Sequence, residues 1–162
     1  MNQYTQKYQT RVNELIKKNF PELENFKIKV YEFNLGKYYS GMALYLPFFK
    51  IILLGRKIRK YNNKAVKGIL AHELCHFEQF SKFNWFKLLI YFFKYDVLRQ
   101  QSFMIKVEKE TDLLTIKKGY GKELLASIIE RKKYSKNNKK AKLIRTRYFS
   151  ENEIKSYMKK LK

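Results

Sequence analysis

Residues 68–80 read GILAHELCHFEQF, and His72, Glu73, Leu74, Cys75 and His76 within them form an HExxH pattern. On an α-helix, positions i and i+4 differ by only ~40° in direction, so both imidazoles leave one face and can share a tetrahedral zinc ion. Glu73 lies ~60° from His76, near enough to hold a zinc-held water without itself ligating the metal. Zinc lowers the pKa of such a water to about 7, and a carboxylate then accepts its proton. The pattern alone arises by chance in many chains, and two ordinary histidines on a buried helix are the plain alternative. Three features favour chemistry. The segment is strongly helical and follows an apolar strand; the two histidines of the 162 residues both fall in it; and a suitable third ligand follows downstream.

With no third histidine, the HExxHxxGxxH arrangement is excluded. Cys75 points ~100° away from His76 and does not reach a metal held by both histidines; it reads as a small buried hydrophobe. An acidic ligand is therefore required, and VEKETDLLTIKKG (107–119) offers Glu108, Glu110 and Asp112. Glu108 and Asp112 are four apart and share a helix face with Thr115, whereas Glu110 points ~160° away from Asp112. Glu108 is assigned as the third ligand and Asp112 as the carboxylate orienting the far nitrogen of His72. Glu110 reads as a solvated surface charge.

Around this centre the periodicities predict one α+β domain over 1–162. Gln6–Phe20 reads as a helix ended by Pro21, and Phe26–Phe33 as a half-buried strand. Strands follow at Tyr38–Leu46 and Phe48–Leu54, then the motif helix over 63–80. Two more helices are expected near 102–118 and 120–134, and Ser150 with Glu153 marks the start of a terminal helix at 151–161. The expected architecture is a small mixed sheet of about three strands, packed on an N-terminal backing helix and the motif helix. A Glu-bearing helix, C-terminal helices and a basic extension over 135–162 complete it.

HELCH followed by a Glu108-to-Asp112 ExxxD helix resembles the gluzincin clan of zinc metallopeptidases, which includes thermolysin and the CAAX-processing and HtpX-type proteases. The short chain is most similar to the compact minigluzincins, over a catalytic core of about 38–119. The resemblance implies a zincin-like fold and a zinc metalloendopeptidase with one Zn2+ per chain on His72, His76 and Glu108. It implies Glu73 as general base and acid, and Asp112 as support for the first histidine. It also implies that Ser40–Leu46 is the edge strand that pairs with an extended peptide or unfolded-protein substrate, through Gly41, Met42, Ala43 and Leu44. Larger gluzincins stabilise the tetrahedral oxyanion with a further His or Tyr. Here Tyr120, Tyr148, Arg145 and Arg147 remain open as candidates, and the tail over 143–162 is a candidate latency segment lying across the cleft.

The charge is +22 but uneven: residues 1–64 carry +9, residues 113–162 carry +12, and residues 65–112 only +1. Every chemically assigned residue falls in the near-neutral middle. The basic flanks suggest an anionic surface, and the alternative reading is a non-hydrolytic or autoinhibited zinc-stabilised module that binds anionic membrane or nucleic acid through them. No nucleic-acid motif accompanies the run RKKYSKNNKKAK at 131–142, so no specific nucleic-acid partner is expected. One cysteine excludes a disulfide framework, and the charged N-terminus lacks a signal region. No stretch reaches ~18 apolar residues, so no transmembrane helix is expected. The expected location is cytoplasmic, with membrane association at the surface. The aromatic stretch Asn84–Leu98 reads either as core packing or as an interfacial helix.

Overall fold

The computed structural model describes residues 2–36, 39–46, 49–94, 100–134 and 143–161. The chain is α+β, mostly helical around a three-stranded mixed sheet. Helix α1 spans Gln3–Asn19, capped by the Asn2 side chain, which accepts from the Thr5 N–H at 2.8 Å. Its buried residues, Thr5, Tyr8, Val12, Leu15 and Ile16, recur at three- and four-residue spacing. Pro21 then opens a short 3-10 turn, Pro21–Leu23, because its ring cannot continue the helix.

Strand β1 is Ile28–Phe33, β2 is Gly41–Tyr45 and β3 is Lys50–Gly55. Their order is β1-β3-β2, with β1 parallel and β2 antiparallel to β3. Ile52 faces Val30 on one side and Ala43 on the other, so β3 is the inner strand and β2 an edge. Ile28, Val30, Ile52 and Leu54 point to the face covered by α1 and by α2, Asn63–Ser81. The sequence places the first two strands a few residues wider than observed; Pro47 and Phe48 lie outside the described residues.

Helix α2 is buried on nearly every side, as its lack of a polar stripe requires. It touches α1, β2, α4 (Gln101–Thr115) and α5 (Gly121–Lys133). Gly68 permits the closest of these contacts: a Cβ there would strike the backbone of Glu123, with Leu124 N only 2.8 Å away. The helix expected over 102–118 ends at Thr115, because the chain makes a π-turn through Ile116–Tyr120. There Gly119 adopts φ 89°, a left-handed conformation natural to glycine. Helix α6, Glu151–Lys160, carries the expected capping box between Ser150 and Glu153. It packs on α5 around Ile116, Leu124, Ile128, Phe149 and Ile154.

Of the aromatic stretch, Trp85–Phe92 forms helix α3; residues 95–99 lie outside the described residues, as do 135–142 of the basic run. Among the described residues no helix is long and apolar enough to cross a membrane.

Candidate metal centre

The centre of α2 and the second half of α4 face one another. The ligating atoms of His72, His76 and Glu108 all lie within 4.8 Å of one another, and all three residues are buried. Glu108 Oε2 stands 3.1 Å from His72 Nε2 and 3.5 Å from His76 Nε2. Two donors each 2.0–2.1 Å from a tetrahedral zinc are about 3.3 Å apart, so these separations suit a shared ion. The i, i+4 spacing turns both imidazoles toward α4, and the rings meet edge to face at 4.9 Å.

The remaining ring nitrogens each face a polar side chain, which leaves each Nε2 for the centre. His72 Nδ1 lies 2.9 Å from Asp112 Oδ1, at an oblique angle. His76 Nδ1 lies 3.2 Å from the Thr111 hydroxyl. That hydroxyl has one proton, which it gives to Val107 O at 2.9 Å or Gln79 Oε1 at 2.8 Å. Toward His76 it therefore acts as acceptor, holding a proton on Nδ1 and a lone pair on Nε2. Sequence reasoning missed Thr111, because a threonine three residues after a glutamate carries no distinguishing pattern. Thr115, expected on this face, bonds instead to Cys75 Sγ at 3.4 Å and to Thr111 O.

The electrostatics favour a cation. Burial opposes charge on His72, yet the Asp112 and Glu108 carboxylates beside its ring overcome it and raise its pKa to about 10. Burial likewise opposes charge on Glu108, and the two histidines outweigh it, holding the carboxyl well below its usual range. Glu73 behaves differently: burial raises its pKa, with His72 and His76 only partly countering. Burial pushes the Cys75 thiol up to about 12, as an inert core cysteine requires. The donor set and its outer partners thus fit a divalent metal held by two imidazoles and a carboxylate. Glu110 is exposed and pairs only loosely with Lys106, at 4.0 Å.

A small cleft lies over His72 and Glu73, lined also by Tyr39–Gly41, Ile69, Ser127, Arg131 and Tyr148. Strand β2 forms one rim. A Cβ on Gly41 would collide with Glu73 Oε1 and come within 3.0 Å of its Cδ, so only glycine lets the strand lie this close to that carboxylate. On the opposite wall the Tyr148 ring is 5.7 Å from the His72 ring, and the Arg131 guanidinium stacks over Tyr148 at 4.4 Å. Asp112 places this wall: its Oδ2 accepts from the Phe149 N–H at 2.8 Å, so one carboxylate holds both His72 and the chain bearing Tyr148.

Of the four residues considered for an oxyanion, only Tyr148 lines the cleft. Tyr120 stacks on Phe20 and donates to Asn19 Oδ1 at 2.6 Å, at the far side of α2. Arg147 donates to Gln101 Oε1 at 3.1 Å, and Arg145 is not among the lining residues. Arg131 lines the cleft instead. In the sequence it is only the first cation of a basic run, with nothing to separate it from its neighbours. Comparison with protein-family models, curated proteins and solved structures finds no match to this chain.

Proposed function

We propose that the protein is a zinc-dependent metallopeptidase with a zincin-like catalytic core, in which His72, His76 and Glu108 hold the metal. The observation that carries this reading is Glu73, buried against the donor cluster and facing a cleft rimmed by an edge strand. Zinc, when bound, polarises a carbonyl and brings the pKa of a water near neutrality. Glu73 accepts the proton of the attacking water, its raised pKa matching that task, and later delivers it to the departing amine. Burial holds the Tyr148 hydroxyl protonated, well above its usual range, so it can donate to the oxyanion that develops in the cleft. The Arg131 guanidinium adds positive charge on the same side. Strand β2, through Gly41, Met42, Ala43 and Leu44, is an edge strand among the described residues and offers its outer backbone groups to an extended peptide or unfolded protein.

The direct test is hydrolysis of an unstructured protein. Cleavage is expected, abolished by a chelator and restored by zinc; cleavage indifferent to chelation contradicts the reading. A second expectation concerns Gly41→Ala. The new Cβ displaces the Glu73 carboxylate, and a misplacement of about 1 Å costs about 10²-fold in kcat/KM. Zinc content stays at the wild-type level, because Glu73 is not a ligand. Loss of zinc in this variant would count against the assignment.

A further inference from the structure

Helix α3 presents an apolar face to solvent. Phe86, Leu89 and Ile90 of the helix and Phe93, its C-cap, are 58%, 54%, 42% and 53% exposed. Their spacing is i, i+3, i+4 and i+7, so at ~100° per residue they occupy one continuous arc of ~100°. Lys87 is exposed and projects along one border of that arc; Lys94, exposed just beyond the helix, has its Nζ 5.9 Å from the Phe103 ring. Leu88 and Tyr91 lie on the opposite side, half-buried against the core. Asn84 caps the helix by accepting from the Lys87 N–H at 2.9 Å, so α3 begins at a defined point. An ordinary surface helix reverses this pattern, turning its widest apolar arc inward.

From this we infer that α3 is an interfacial helix that docks the protein on an anionic lipid surface, its apolar arc entering the acyl boundary and its lysines at the headgroups. Charge selects this occupant. Residues 79–95 contain three lysines and no acidic side chain, Lys82 pairing with Glu78 at 3.1 Å and Lys87 bordering the arc, within a chain of net charge +22. A second copy would bring the same lysine-edged patch against itself. A bilayer with anionic headgroups supplies both an apolar phase and the opposite charge. The Tyr45 ring of β2 reaches Phe80 at 5.7 Å, and Phe80 meets Tyr91 of α3 at 4.9 Å. Phe80 also stacks on His76 at 5.8 Å, so a single ring separates the docking helix from the metal centre. The inference stands on α3 alone and does not require peptidase activity.

The test is flotation of the full chain with phosphatidylcholine vesicles, with and without phosphatidylglycerol. Wild type is expected to float with the anionic vesicles only, and to release as salt is raised. Phe86→Gln with Leu89→Gln, at exposed positions that leave the fold intact by circular dichroism, is expected to weaken binding more than about tenfold. Lys87→Gln with Lys94→Gln is expected to weaken it about 30-fold, at roughly a factor of five per lysine. Failure to float, equal binding to neutral vesicles, or an apolar double variant that floats like wild type overturns the inference. So does sedimentation showing a dimer that the apolar variant dissociates.

Discussion

Glu73→Gln is expected to retain zinc at the wild-type level and to lose about 10²–10⁴-fold in the proposed peptide hydrolysis. The amide keeps the size and hydrogen-bonding reach of the carboxylate, so the packing against Gly41 survives. It cannot accept a proton, and no other described carboxylate is free to replace it. Glu108 is engaged with both histidines, and Asp112 is divided between His72 and Phe149. The variant therefore separates metal binding from turnover. The check is metal content by elemental analysis alongside cleavage of an unstructured protein. Retained hydrolysis would remove Glu73 from the mechanism.

Asp112 supports the largest expected effect on stability. It is fully buried, touches His72 Nδ1 through one oxygen and accepts the Phe149 N–H through the other. Asp112→Ala strands a buried imidazole and a buried N–H together, and losing one partner of a buried pair costs about 3–5 kcal/mol. Asp112→Asn separates the two roles. Its carbonyl oxygen still accepts from Phe149, so most of the stability returns. Its amide donates to His72 Nδ1 and drives the imidazole to the tautomer with a proton on Nε2, the atom needed for the metal. Zinc affinity is then expected to fall about 10–100-fold with the melting temperature near wild type. Thermal unfolding and a zinc titration measure the two quantities. An Asn variant that binds zinc normally would show that Asp112 does not orient His72.

Much of this arrangement is readable in the sequence, and the exceptions have physical causes. The i, i+4 rule places His72 with His76 and Glu108 with Asp112 on shared faces, because both helices are regular there. Strand β2 is an edge, as the resemblance implies for Ser40–Leu46. Tyr120 shows where local reading ends. It lies two turns beyond Asp112 and would share its wall on an unbroken helix, but Gly119 at φ 89° turns the chain so that the ring meets Phe20. Tyr148 reaches the cleft through the Asp112–Phe149 hydrogen bond, a contact across 37 residues that periodicity does not encode. Arg131 and Thr111 are set by the approach of α5 and α4 to α2, and that tertiary approach depends on Gly68. The charge of +22 says little about the chemistry and more about the surfaces around α3.

Zinc analysis of wild type, Glu108→Ala and Glu110→Ala bears most directly on the metal centre. Glu108 contacts both histidines from within the buried cluster, and Glu110 is exposed on the other side of the same helix. Purified wild type and Glu110→Ala are expected to carry one zinc per chain, with Glu108→Ala carrying almost none. Zinc retained in Glu108→Ala and lost in Glu110→Ala would contradict the assigned centre, as would a wild-type chain that binds no metal at all.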